Sequence, residues 1–185
     1  MTEIRLTRRA DYEELADVLV AVNKRDGYPV EGVDSPLAWL DLPDAIGQWT
    51  ALLDGRPRGH AALLQPKSTD EVVGLVVDKQ GVSMTQLAVL ARLFVDPRVR
   101  GQGIGEALLK AAEDSARSLG LTLVLEVLAK DKSAMNLYLR NGWKVIGESD
   151  HVWGEGRHAE AMVMTKDKKG MVGSACSGNP TRILQ

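Results

Sequence analysis

The chain has 185 residues with a formal net charge of −2, and it is 44% hydrophobic and 26% charged, which suits one compact enzyme-sized domain and leaves no basic footprint for nucleic acid and no cationic patch for an anionic membrane. The lone cysteine, Cys176, excludes an internal disulfide and, beside three scattered histidines, offers no metal set, so no metal is expected. The opening MTEIRLTRRADYEE has no apolar signal core and no run reaches the roughly 18 apolar residues that span a bilayer, so a cytoplasmic protein is expected, with neither nucleic acid nor membrane as partner.

Alternation over residues 4–8 predicts a first strand, and Tyr12, Leu15, Ala16, Leu19 and Val22 mark a helix with Asp11 at its N-cap. Asp26, Gly27, Tyr28 and Pro29 break that helix, and Ser35-Pro36 opens a short one to about residue 40. The loop between them is long enough to shape a pocket. Residues 48–53 and 58–64 flank Asp54-Gly55, a hairpin signal. Ser68, Thr69, Asp70 and Glu71 read as a capping box and Gly81 as a stop, so VVGLVV between them is expected in an inserted helix.

Residues 87–95 and 121–128 read as a fourth and a fifth strand, parallel and joined by a crossover helix. Along that helix Ile104, Leu108, Ala111, Ser115 and Leu119 form an apolar stripe, with Glu106, Lys110, Glu113 and Arg117 largely on the other side. A short helix over residues 131–141, ended by Gly142, and strands over residues 144–148 and 158–165 complete the pattern. After residue 166 periodicity ends, so a single domain of residues 1–165 is expected, followed by a disordered tail, 166–185.

The chemistry concentrates in the turn before the crossover helix, Arg100, Gly101, Gln102, Gly103, Ile104, Gly105 and Glu106. Its glycines remove the Cβ atoms that hold a ligand off the backbone, and the first helical amides have no acceptor of their own. With the helix dipole and Arg100, a pyrophosphate is the expected guest. A P-loop is excluded because its lysine and hydroxyl are missing, and a dinucleotide fingerprint because the third glycine and the distant acid are missing.

These residues resemble the coenzyme A loop of the GCN5-related N-acetyltransferases (GNAT), Arg/Gln-x-x-Gly-x-Gly/Ala after a strand ending Val-x-Pro. Arg100, Gly103 and Gly105 match it, preceded by Val95 and Pro97. Residues 125–147 are similar to the family's second motif, especially in the ribosomal-protein alanine acetyltransferases, whose glutamate, asparagine and tyrosine fall on Glu126, Asp131 and Tyr138. Asp131 departs from the pattern by putting a carboxylate where relatives hold the pantetheine arm with an amide. The resemblance implies an α/β fold with a central mixed sheet of six to seven strands flanked by helices. Its parallel fourth and fifth strands would splay to admit acetyl-CoA, the acyl donor, along Leu93, Phe94 and Val95.

The implied reaction moves an acetyl group directly from the thioester to an amine. An alkyl ammonium costs about 4–5 kcal/mol to deprotonate at neutral pH, so a base must offset part of that. Glu126, which interrupts an apolar strand, is the first candidate, with Glu160 and Asp26 behind it. Tyr138 is the candidate acid for the leaving thiolate. Asp26, Tyr28, Trp49, Trp153 and Glu160 are the candidates for acceptor contacts, and His60, His151 and His158 are given no role. The expected partner is a small-molecule amine or a peptide amine, with a homodimer left open. A small-molecule acceptor is preferred over a protein N-terminal or lysine acetyltransferase, and a noncatalytic acyl-coenzyme A sensor is the reading of another class.

Overall fold

Seven strands hydrogen-bond into one mixed sheet in the order β1-β2-β3-β4-β5-β7-β6, in a computed structural model that describes residues 1–166. Along the chain these are β1 (Thr2–Leu6), α1 (Tyr12–Asp26), α2 (Pro36–Leu40), β2 (Ala45–Leu53), β3 (Arg56–Leu64), α3 (Glu71–Gln80) and β4 (Leu87–Val95), followed by α4 (Ile104–Ser118), β5 (Thr122–Leu128), α5 (Lys132–Arg140), β6 (Lys144–Trp153) and β7 (Arg157–Lys166). The expected mixed sheet is present, the inserted helix α3 included. The tail expected after residue 166 lies outside the described residues.

Two features of the sheet build the site. The first is the parallel pair β4–β5, whose register runs only from Leu87↔Thr122 to Val89↔Val124. Beyond Val89 the strands part, and the facing edges of Leu90–Val95 and Leu125–Leu128 border a gap. A bulge in β4 follows where the strands part: Ala91 pairs with Ala62 and Phe94 with His60, leaving three steps on β4 against two on β3. Arg92 sits in the bulge with φ at 55°, left-handed for a residue with a Cβ. The extra residue reverses the alternation of faces: Leu90 packs with the α4 side, whereas Phe94 packs with α1 and α2. His60 fastens the bulge from β3, its Nδ1 lying 3.0 Å from the Arg92 carbonyl oxygen and its Nε2 3.1 Å from Gln48 Oε1, so that the ring's one proton is donated to one of these two oxygens. Burial, with the nearby Arg92 charge, pushes its pKa down to about 4, so the ring is neutral and structural.

The second feature is the length of β6. Sequence patterning ended that strand at residue 148, but its pairing with β7 continues through Ser149↔Ala161 and His151↔Ala159 to Trp153↔Arg157. An edge strand bearing Asp150, His151 and a glycine turn lacks the β-branched alternation that betrays strands in sequence, and cross-strand pairing with β7 forms it instead. Its extra length carries Ser149 and His151 beside the gap.

The core divides by face. α4 lays Ile104, Leu108, Leu109, Ala112 and Ala116 against β2, β3 and β5, a stripe rotated from the expected one, so that Leu119 is exposed. Glu113, expected on the polar side, is buried. It accepts from Trp143 Nε1 and from Lys166 Nζ, each at 2.8 Å. α1 and α2 cover the opposite face with Phe94, and α3 covers Val124 and Val163 beside them.

Candidate active site

Leaving β4, Asp96 is fully buried and ties the chain down. It accepts from Arg98 N at 3.0 Å, from Arg98 Nη2 at 2.8 Å and from Arg58 Nη1 at 3.0 Å. Burial opposes its charge, but those donors hold its pKa below the usual carboxylate range. From this anchor the chain makes two left-handed steps, Gly101 at φ 80° and Gly103 at φ 77°, and enters α4. No side chain caps α4, whose N-cap is Gly103. A Cβ placed on either glycine would meet nothing within 4 Å, so the uncapped amides open on clear space. A diphosphate fits that cradle.

The loop borders a cleft of about 1420 Å³ that runs between the parted strands to the far face of the sheet. Leu93, Val95, Arg100, Gly103, Gly105 and Glu106 line it on the α4 side, whereas Gln102 is exposed beside it. At the mouth Arg100 pairs with Asp26, and Lys130 Nζ reaches both the Asp26 carbonyl at 3.1 Å and Asp131 Oδ1 at 2.7 Å. Asp26 therefore sits at the loop end of the cleft with its carboxylate engaged, and Asp131 is paired to its own neighbour.

Glu126 points the other way. Leu123, Leu125 and Val127 of β5 pack toward α4 and Val124 toward α3, so alternation turns Glu126 to the face away from α4. There its Oε1 accepts from Ser149 Oγ at 2.5 Å and its Oε2 from His151 Nδ1 at 2.6 Å, while His151 Nε2 reaches Glu31 Oε1 at 3.1 Å. The result is a carboxylate–imidazole–carboxylate chain lining the cleft. Burial works against an imidazolium here, but the two carboxylates outweigh it and raise the His151 pKa. His151 had no expected role, because β6 pairing and not local pattern brings it to Glu126, 25 residues away in sequence.

Tyr138 lies on the buried face of α5, its ring 5.7 Å from that of Trp143, and it lines the cleft. Burial, reinforced by the Asp131 charge, raises its pKa and keeps the phenol protonated. Tyr28 shares the cleft, its pKa likewise raised by burial and by the neighbouring Tyr138. It meets Trp39 edge-on at 6.1 Å, and the Arg92 guanidinium lies 4.4 Å over the Trp39 ring.

Three expected acceptor contacts fall elsewhere. Trp49 packs in the core between β2 and α4, against Gly47. Its strand faces that helix, so it does not line the cleft. Glu160 is exposed on β7 opposite Asp150. Trp153 stands one step behind, its ring 5.8 Å from that of His151. Trp39 takes the place expected of Trp49, set there by the α1–α2 segment, for which sequence offers no period to read.

A glycine cradle at a helix start, a parted parallel strand pair and a carboxylate on the open face make this an α/β fold with a ligand-sized cleft at the strand ends. The profile of the acetyltransferase (GNAT) family matches residues 12–143, and the chain belongs to that family. N-acetyltransferase 8F1 of Rattus norvegicus is 36% identical over 93 residues, 48% of this chain and 42% of that protein. The chain spans less than half the length of the curated relatives it matches. Among solved structures, yncA of Salmonella typhimurium, solved with its cofactor acetyl-CoA, superposes with a TM-score of 0.68 at 17% identity, over 98% of this chain and 99% of that one. The ribosomal-protein-alanine N-acetyltransferase of Brucella melitensis also gives 0.68, at 18% identity, over 89% and 99%. At such identities these two likenesses speak for the fold alone.

Proposed function

We propose that the protein is an acetyl-CoA-dependent N-acetyltransferase that transfers the acetyl group directly to the primary amine of a small molecule. The observation that carries this reading is Glu126, which faces the cleft on the side away from the glycine cradle, held by Ser149 and His151. The two reactants would then approach the gap from opposite faces of the sheet.

Leu93 and Val95 would flank the pantetheine arm, and the amides of Gly103, Ile104 and Gly105 with Arg100 would hold the diphosphate, Arg100 exchanging Asp26 for the ligand. When bound, the donor supplies an electrophilic carbonyl and a leaving thiolate. Glu126 takes the proton from the acceptor nitrogen, directly or through one water, as the nitrogen–carbon bond forms and the carbon–sulfur bond breaks. Ser149 and His151 keep that carboxylate oriented, and Tyr138 gives its phenolic proton to the departing sulfur. The proton lost by the amine and the one gained by the thiol balance through solvent.

A small acceptor is favoured because the Glu31–His151 contact ties the α1–α2 segment to the β6–β7 hairpin across the acceptor side. An extended peptide would have to break that contact to lie across the cleft. The experiment is acetyl-CoA calorimetry followed by thiol release over a panel of amines and short peptides. Saturable binding with release on small amines is expected. Release on peptides alone would overturn the choice of acceptor, and no binding would overturn the function.

A further inference from the structure

One of the cations lining the cleft, Arg92, has no part in the transfer chemistry and no carboxylate partner among the described residues. Arg92 lines the acceptor side, yet its Nη1 is buried without a hydrogen-bond partner among the described residues. Its guanidinium rests on Trp39. Burial lowers its pKa and the Glu31 charge supports it from a distance, but no described carboxylate pairs with it. The contrast with the other buried arginine contacts is plain: Arg5 forms a two-pronged pair with Asp11 at 2.7 Å for each bond, and Arg58 meets Asp96 at 3.0 Å.

Leaving a guanidinium donor desolvated and unanswered is costly. The β4 bulge adds to that cost, since it holds Arg92 at a positive φ that glycine adopts more easily. Backbone geometry would favour glycine here, yet the position holds a stacked arginine. A planar fork stacked on an indole, with donors left over, is suited to a carboxylate.

We infer that Arg92 is the receptor for a carboxylate on the acceptor, so that the substrate is an amine bearing a nearby carboxylate, of the amino-acid type. The inference rests on the transferase reading and names its substrate class. Across the same cleft, Glu31 and Glu126 favour the positive end of such a molecule and Arg92 its negative end. Carboxylates and an unpaired arginine lining one cleft fit a zwitterion, and they disfavour a plain polyamine, whose second charge would meet Arg92.

The test is calorimetric, with coenzyme A present. The twenty amino acids and their carboxamides are titrated as matched pairs into wild type, Arg92→Gln and Arg92→Lys. Charge-assisted hydrogen bonding predicts that at least one amino acid binds wild type roughly 10- to 100-fold more tightly than its amide. Arg92→Gln is expected to erase the preference and Arg92→Lys to keep part of it, since a point charge replaces the fork. Thermal unfolding of each variant verifies the fold. Equal affinity for acid and amide, a preference for amides, no binding of any amino acid, or a preference untouched by Arg92→Gln each overturns the inference. Acetyl-CoA titrated alone into wild type keeps the two claims separate. Failure there removes the transferase reading, whereas binding without acid–amide discrimination removes the Arg92 subsite alone.

Discussion

At the level of single residues, Tyr138 and His151 make opposite uses of burial. Tyr138 has its pKa raised by burial and remains a proton carrier throughout the neutral range, and removing the hydroxyl leaves the ring packing against Trp143 intact. Tyr138→Phe is therefore expected to lower kcat by about 10²-fold or more while acetyl-CoA affinity stays within a few-fold. Normal turnover by the variant would sink the acid assignment. His151 carries a raised pKa because Glu126 and Glu31 together outweigh its burial. Its folded value lies above the unfolded value near 6.5, so its contribution to stability is complete below about pH 6.5 and is lost as pH rises through the folded pKa. In an NMR titration its ring proton should move with a midpoint above 6.5, and Glu31→Gln should bring that midpoint down. A midpoint at or below 6.5 in the intact protein would contradict the carboxylate–imidazole–carboxylate chain. Glu126 and Tyr138 could be nominated from sequence, since each stands in a motif. His151, Glu31 and Arg92 could not, because chain segments far apart in sequence bring them together and one of them sits in a bulge that leaves no local signature.

The loop with α4 was the most legible element, because three glycines, a strand end and an amphipathic run coincide there, and residue type alone dictates the backbone path. Gly103 requires φ of 77° and projects nothing into the cradle. Gly103→Val would cost about 1–2 kcal/mol in backbone strain and would put a branched side chain where a diphosphate must approach. We expect acetyl-CoA affinity to fall by a factor of about 100 or more with the far-ultraviolet circular dichroism unchanged, since each hydrogen bond lost to a charged group is worth about 1.5–3 kcal/mol. Calorimetry within threefold of wild type would mean that the loop is a connection and not a cradle. The rotation of the α4 stripe was less legible, because Glu113 looks polar in sequence and is buried only through Trp143 and Lys166. The length of β6 was hidden for the same kind of reason: a partner strand satisfies it, and its own composition does not announce it.

For the molecule as a whole, motif order and helix periodicity sufficed for an α/β sheet, but not for the insertion of β7 between β5 and β6, since long-range pairing leaves no trace in a local window. Two buried carboxylates lock this topology near its β1–β3 side. Asp11 joins Arg5 of β1, the Arg8 amide and Thr50 of β2, and Asp96 joins Arg58 of β3 to the turn before α4. Burial opposes ionisation at both sites, yet the donors prevail and lower both pKa values. Because the folded values lie below the unfolded one near 3.9, the stabilisation is complete above about pH 4 to 5 and disappears as pH falls through the folded pKa values. Tm should therefore hold between pH 7 and 5 and drop steeply below 4. Charge-assisted bonds of this kind contribute about 1.5–3 kcal/mol each, so the Asp11→Asn, Asp96→Asn double variant should melt roughly 5–15 °C lower at pH 7. Its acid slope should also be shallower, because the groups whose protonation unfolds the chain are gone. A double variant that loses Tm with acid as steeply as wild type would place the acid sensitivity in other carboxylates and leave these two as ordinary polar contacts.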